Sequence, residues 1–416
     1  MSEKTKILVI ADHPFSPSGV GTQTRYMVEG LLETGEYRFL CLGGAIKHKD
    51  YNPQKFDKWG DDLVVYPVDG YGNQDMIRSI LRTEKPDMLW FMTDPRFFGW
   101  LWEMEDEVRA LVPMVYYHVW DNYPLPKFNK IWYDSTDVVA AISKVTRDIV
   151  ANVSPDTELH YIPHAVNSEF FKPMLQEEID KLKQTSGLDG KFVVFWNNRN
   201  ARRKQPGTLL FWFKEFLNRV GHDKACLLMH TDPGDPNGPN LHAILHELEL
   251  TSGEVKFSTE KLDFPQMSAL YNMSDVTVNI SDAEGFGLST LESLSCGVPI
   301  IVNMTGGLQE QVTDGEEWFG IGIEPSSKSI IGSQDIPYIY EDRINKEDFV
   351  SALEKVYNMT SEERKALGAK GRDHVEKNYN FKQYAVKWKA VIDDVIERHG
   401  SWKTRKRPAS WELLEV

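Results

Sequence analysis

Two carboxylates, Glu284 and Glu292, flank a Gly285-Phe286-Gly287 turn in the stretch Ser281 to Asn303. The run Leu288 to Cys296 reads as a short helix stopped by Gly297 and Pro299, and Val298 to Val302 reads as a buried strand. Glu284 then lies in a loop opening onto a helix N-terminus, and Glu292 lies on that helix. The unpaired backbone N–H groups and positive dipole end of such a start suit a phosphate. The glycines let a ligand approach the backbone closely. The carboxylates can accept hydrogen bonds from hydroxyls on either side of the phosphates, and a molecule built that way is a sugar nucleotide. Singly these features are ordinary: a solvated helix Glu, a loop Glu beside a helix start, a Gly-x-Gly turn. Their combination carries the reading.

The elements that must position these residues alternate along the chain. Strand signals fall at Lys6–Ala11, Arg38–Leu42, Asp62–Pro67, Met88–Met92, Pro113–His118, Val138–Ala141 and His160–Ile162. Helix signals fall between them at Thr22–Glu33, Asn73–Glu84 and Lys144–Val153, and Asp12 to Gly21 reads as a loop. The proline-bounded segment Pro163–Pro173 suits a linker. The alternation then restarts. Strands are expected at Phe192–Trp196, Ala225–His230, Val255–Phe257 and Val276–Ile280, with helices at Gln176–Thr185, Gly207–Arg219, Asn240–Leu248 and Pro265–Asn272. Late helices are expected at Lys346–Tyr357, Ser361–Asn378 and Phe381–Arg398. Continuous apolar strands between helices imply parallel sheets covered on both faces. Two such domains imply a cleft lined by the carboxyl ends of strands.

Composition agrees with a folded chain of two domains: 416 residues, 41% hydrophobic and 12% aromatic. The net charge of −15 argues against general nucleic-acid binding and, more weakly, against docking on anionic lipid. The basic run Lys403 to Arg407 reads as a solvated end. Three scattered cysteines, Cys41, Cys226 and Cys296, form no disulfide framework or metal spacing. No signal-peptide core or membrane span is legible, and a soluble, cytoplasmic protein is expected. Without an Asp-x-Asp pair or a His/Cys cluster, no essential metal and no cofactor are expected. The aromatic run Met88 to Trp102 is expected to pack in the core or between domains rather than as a sugar-stacking platform.

The segment EGFGLSTLE, Glu284 through Glu292, resembles the EX7E signature of retaining GT-B glycosyltransferases of the family 4-like, group 1 kind. Arg199 to Lys204 resembles that family's Arg-x4-Lys pair. Ile162 to Pro173 resembles its interdomain segment, Ser16 to Gly21 its glycine-rich loop, and the last helix its terminal helix. Asn198, His164-Ala165 and Gly19-Val20-Gly21 depart from the family's usual residues. The resemblance implies an α/β GT-B fold: two Rossmann-like doubly wound parallel-sheet domains facing a cleft, with a C-terminal helix crossing back. The expected boundaries are 1–173 on the acceptor side, 174–380 for the nucleotide sugar, and 381–416 for the returning helix and tail.

The same resemblance implies the roles. Arg199 and Lys204 would stabilise the leaving diphosphate, whose negative charge grows in the transition state. Arg202 and Arg203 share the stretch as solvated residues or substitutes. Backbone N–H groups of Leu288 and Ser289 would meet the phosphates, and Glu292 would accept from the ribose hydroxyls. Glu284 and the Gly285–Gly287 backbone would hold the transferred sugar. His118 matches a family histidine facing that sugar, against the alternative of a histidine satisfied in a Tyr/Trp core. Gly19, Gly21, Asp94, Arg96 and Asp121 would border the acceptor. The implied function is retaining transfer from a UDP- or GDP-sugar to a hydroxyl of a glycan, lipid-linked or small-molecule acceptor, with peripheral membrane contact left open. The competing readings are a GT-B epimerase, a binding module that has lost transfer, and a DNA-modifying glucosyltransferase.

Overall fold

The structure, a computed structural model, describes residues 3–406. The chain divides into two compact units. Residues up to His164 and from Phe381 onward form one; Ala165–Asn380 form the other.

The first unit carries strands β1 (Thr5–Asp12), β2 (Tyr37–Gly44), β3 (Gln54–Phe56), β4 (Gly60–Pro67), β5 (Met88–Thr93), β6 (Met114–His118), β7 (Val138–Ala141) and β8 (Leu159–Tyr161). Their order in the sheet is β3-β4-β2-β1-β5-β6-β7-β8. Every pair is parallel except the edge pair β3–β4. The runs Ile7–Ala11, Phe39–Leu42 and Met88–Met92 are buried throughout, as a sheet covered on both faces requires. The aromatics that follow β5 belong to that core: Phe91 and Tyr116 stack at 4.7 Å, and Phe98 and Trp102 meet Phe91 edge-on.

The last helix, Phe381–His399, returns to this unit. It buries Tyr384, Trp388, Ile392 and Val395, the spacing of one helix face. Trp388 packs edge-on against Trp90 and Tyr117, and the Tyr384 hydroxyl donates to the Gln23 carbonyl at 3.2 Å.

The second unit carries β9 (Phe192–Asn197), β10 (Ala225–His230), β11 (Val255–Ser258), β12 (Val276–Asn279), β13 (Ile300–Asn303) and β14 (Gly320–Ile323) in the order β11-β10-β9-β12-β13-β14. All these pairs are parallel. An antiparallel hairpin, β15 (Ser327–Ile331) and β16 (Ile339–Arg343), follows. In both units the strand order reverses beside the first strand, between β1 and β5 and between β9 and β12. At such a switch point adjacent loops diverge to opposite faces and leave a crevice at the carboxyl ends, where open α/β sheets bind ligands.

Several expectations are corrected. Neither β3, β14 nor the β15–β16 hairpin is legible in the sequence, because each is a short edge or surface strand with little apolar run. The first helix spans Gly19–Leu32, so Gly19 and Gly21 lie in its first turn and not in a loop. Ser18 caps it by accepting from the Gly21 N–H at 2.9 Å, and Gly21 packs so tightly that a Cβ would sit 2.7 Å from the His13 carbonyl oxygen. The division falls at His164/Ala165 rather than after Pro173. The intervening segment is bound into the second unit: Val166 N–H donates to the Tyr379 carbonyl at 2.9 Å, and Ser295 donates to the Phe171 carbonyl at 2.6 Å. The basic run is not simply solvated. The Arg405 side chain is buried, pairs with Asp137 at 3.3 Å and donates to the Arg109 and His399 carbonyls at 2.8 Å. Arg407 lies outside the described residues.

Candidate functional site

The switch point of the second unit gathers the chemistry the sequence pointed to. The loop leaving β9 brings Lys204, and the loop leaving the neighbouring β12 brings Glu284; the two form a buried ion pair. Burial raises the Glu284 pKa, but Lys204 and Arg203 outweigh it and hold the carboxyl below the usual range. Arg203 also donates to the Ala283 carbonyl. The expected Arg199–Lys204 pair is separated. Arg199 is exposed and binds Asp235 at 2.7 Å, while Arg202 makes a fork with Glu341 at 2.6 and 2.9 Å. Arg203 is the arginine that accompanies Lys204 at the Glu284 loop.

Three asparagines, each ending one of the parallel strands, organise the loops. Asn279 closes β12, donates to Glu284 at 3.3 Å and accepts from the Ser281 backbone at 3.1 Å. Asn303 closes β13 and donates to the carbonyls of Ser281 at 2.9 Å and Asp342 at 2.8 Å. Asn197 closes β9 and donates to the Tyr271 hydroxyl at 2.9 Å, which in turn donates to Glu292 at 2.6 Å. Each strand end thus reaches a glutamate or the loop that carries one.

Between the glutamates the chain is tightly set. Gly287 starts the helix Leu288–Ser295 at φ +94°, where a Cβ would meet the Leu308 side chain at 2.5 Å. The Gly306-Gly307 turn after β13 lies against this loop. A Cβ on Gly306 would stand 1.8 Å from the Glu284 carbonyl oxygen, and Gly307 N–H donates to that oxygen at 3.0 Å. Gln311 donates to the Phe286 and Gly287 carbonyls at 2.7 and 3.0 Å. Ser281 through Gly287, including Gly285 and Phe286, is buried; Leu288 and Ser289 are the first residues to reach the surface. The accessible part of the motif is therefore the helix start, the part that suits a phosphate.

Glu292 is half-buried on its helix. It sits against the fully buried Tyr271, and burial pushes its pKa up to about 7 despite the Tyr271 hydrogen bond. The hairpin closes the arrangement. Asp342 N–H donates to the Asp282 carbonyl at 2.8 Å, its carboxylate accepts from Thr305 at 2.8 Å, and Glu341 holds Arg202. Tyr271, Asn279, Asn303, Thr305–Gly307, Gln311 and Asp342 escaped the sequence reading. The visible signals were the Asn that ends each apolar run and the Gly-Gly after β13.

The candidates of the first unit lie at or after the carboxyl ends of β1, β5 and β6. His118 ends β6 but is fully buried, with Nε2 2.8 Å from the Tyr133 hydroxyl and Nδ1 unpartnered. It lies among Tyr116, Trp120 and Tyr133, and burial lowers its pKa to about 3, which keeps it neutral. The aromatic cage thus satisfies one ring nitrogen and leaves the other without a partner. Asp94 and Arg96 pair with each other at 2.9 Å, and Asp94 caps the short turn after β5. Asp121 is partly exposed between the buried Trp120 and Asn122. Among the described residues no group of three or more His, Cys, Asp or Glu could hold a metal ion, and no helix is long and apolar enough to cross a membrane.

Residues 179–374 match the family described as Glycosyl transferases group 1. Among characterised proteins the chain is similar to the GDP-mannose-dependent alpha-(1-6)-phosphatidylinositol monomannoside mannosyltransferase of Mycolicibacterium smegmatis, 27% identical over 47% of this chain and 52% of the relative. It is also similar to the N-acetyl-alpha-D-glucosaminyl L-malate synthase of Bacillus anthracis, 24% identical over 56% of this chain and 58% of the relative. The matches thus span about half the length of these relatives. Among solved structures, sucrose-phosphate synthase from Thermosynechococcus elongatus superposes with a TM-score of 0.75 at 16% identity, over 95% of this chain and 100% of that one. Anabaena HepE in complex with UDP and glucose gives 0.69 at 14% identity, over 94% of this chain and 100% of that one. At these identities the likeness shows a shared fold, the GT-B fold of two Rossmann-like units in one chain. The part of the chain that resembles the group 1 glycosyl transferases, residues 179–374, contains both glutamates and Lys204.

Proposed function

We propose that the protein is a retaining glycosyltransferase that moves a sugar from a UDP- or GDP-sugar to a hydroxyl of a glycan, lipid-linked or small-molecule acceptor. The observation that carries this reading is the convergence of Lys204, Glu284 and an accessible helix start on one switch point. Lys204, with Arg203 beside it, supplies positive charge where the diphosphate leaves, and the N–H groups of Leu288 and Ser289 supply donors at the same place. Glu292 accepts from the ribose hydroxyls through the carboxylate that Tyr271 orients. Glu284 lies on the sugar side, and its ion pair with Lys204 opens as the diphosphate takes the lysine. The donor phosphates are handled by these groups without a metal. The GDP-mannose-dependent relative and the UDP complexes of fold neighbours support a nucleotide-sugar donor.

A thermal-shift screen against UDP-, GDP- and ADP-sugars tests the reading, since ligands that bind the native state raise its midpoint. At least one UDP- or GDP-sugar is expected to stabilise the wild type, and Lys204→Ala is expected to lose that shift while keeping a cooperative transition. Silence across the panel, or an unchanged shift in Lys204→Ala, would sink the assignment. Retention is checked separately, by the anomeric configuration of the product in NMR.

A further inference from the structure

A cavity of about 530 Å³ opens in the second unit beside Asp275 and Val298-Pro299, at the amino ends of β12 and β13. It lies at the end of the sheet opposite Lys204 and Glu284. Its volume falls within the range of roughly 300–1,000 Å³ that small-molecule sites occupy. Ile179, Val298 and Pro299 give it apolar lining. Four cations stand on its wall, Lys183, Arg364, Lys365 and Arg372, together with Asp275 and Asp373. Lys183 and Arg364 share Asp275 at 3.1 and 3.3 Å. Arg372 pairs with Glu376 at 2.8 Å and donates to the carbonyls of Phe171 at 3.3 Å and of Ser295. Lys365 is exposed and donates to a neutral group, Oε1 of Gln176, at 2.8 Å. Among the lining residues themselves four cations face two carboxylates; Glu376, paired with Arg372, and Asp180, held by Gln176 at 2.8 Å, are the next carboxylates out, so the positive excess is local to the wall and reaches the rim at Lys365. An apolar lining under a cationic rim selects a compact organic anion.

The cavity also touches the machinery of Glu292. Two wall residues, Cys296 and Asn272, lie at the ends of the helices that carry Glu292 and Tyr271. Cys296 N–H donates to the Glu292 carbonyl at 3.0 Å, one turn earlier, and Asn272 directly follows Tyr271. The helix Leu288–Ser295, about 12 Å long, therefore begins at the phosphate-suited start and ends at the cavity. A ligand that displaces Cys296 acts on the Glu292 side of the 2.6 Å Tyr271–Glu292 hydrogen bond, and one that displaces Asn272 acts on the Tyr271 side.

The geometry points to this cavity as a binding site for a compact organic anion with an apolar body, whose occupancy is coupled to nucleotide affinity at Glu292. The coupling rests on the donor-site reading; the binding does not. Titration calorimetry with phenyl phosphate, and with phenol as the neutral control, tests the site. Phenyl phosphate is expected to bind one-to-one while phenol does not, and Lys365→Glu, a surface change, is expected to weaken binding by about tenfold or more. Lys183→Gln provides a second variant at the other side of the cavity, with the same direction expected. Saturating phenyl phosphate is expected to change UDP or GDP affinity by about fivefold, with the reciprocal change in its own affinity. Absence of binding, binding unchanged in both variants, or simple competition with UDP or GDP would overturn the site. Binding that leaves nucleotide affinity unchanged would overturn the coupling. If neither UDP nor GDP binds while phenyl phosphate still does, the donor reading fails and the cavity site stands.

Discussion

Glu292 combines a hydrogen-bond acceptor role with an environment that resists its charge. In the proposed donor site it would accept from two ribose hydroxyls and must then be ionised, yet burial pushes its pKa up to about 7. Nucleotide affinity is therefore expected to rise from pH 6 to pH 8, by up to about tenfold per pH unit below 7. Glu292→Gln should flatten that profile and lower affinity at pH 8; a profile of unchanged slope in the variant would remove Glu292 from the site. The stability consequence has the opposite sign. The folded pKa lies above the ordinary glutamate value of 4.5, so stability is highest where the group is protonated in both states and falls as pH rises toward 7. In urea unfolding, Glu292→Gln is expected to be more stable than wild type by about 1–2 kcal/mol at pH 8 and nearly equal to it at about pH 4.

At the level of elements, the site depends on two turns that come from different strands and press on each other. Gly306, at φ +51°, has the Glu284 carbonyl where its Cβ would go, whereas Gly315, at φ +101°, has open space there. Both Gly→Ala changes cost about 1 kcal/mol or more in backbone strain. Gly306→Ala must in addition displace the Glu284 backbone. It is expected to abolish nucleotide binding, while Gly315→Ala lowers only the thermal midpoint. Equal nucleotide affinity in the two variants would show that the turn does not hold the loop. The β15–β16 hairpin acts on the same loops: through Arg202, Asp282, Asn303 and Thr305 it ties together the segments leaving β9, β12 and β13.

At the scale of the molecule, the chain leaves its first unit at His164 and re-enters it at Phe381, so the first unit is complete only when the last helix is in place. Arg405 extends that closure beyond the helix. Its guanidinium shares the buried Asp137 with Arg109, and Asp137 also accepts from the Met114 N–H at 2.9 Å. Arg405→Ala removes a buried partner and is expected to cost about 2 kcal/mol in chemical unfolding, less than a buried charge left wholly unpaired because Arg109 remains. Nucleotide affinity should be unchanged, since Asp137 and Arg405 belong to the first unit. A variant as stable as wild type would mean that the tail is only laid on the surface.

The strand–helix alternation, the two Rossmann-like halves and the Glu284–Glu292 segment were legible in the sequence because long apolar runs and glycine-bounded turns are local signals. The short strands β3, β14, β15 and β16 were not, since their stability comes from neighbours and not from an apolar run of their own. Lys204 and Glu284 could be nominated from the chain, but only the parallel pairing of β9 with β12 makes them an ion pair across 80 positions of sequence. Arg199, Arg202 and Arg203 were indistinguishable as residue types; the loop after β9 turns each in a different direction, toward Asp235, Glu341 and Ala283. The burial of His118 among Tyr116, Trp120 and Tyr133 was likewise beyond the sequence, because those rings come from separate segments. Residue type and spacing determined which chemistry this chain can carry. Which side chain meets which partner, and which carboxylate is charged, was decided by burial and by contacts between strands distant in sequence, and these exist only in the folded chain.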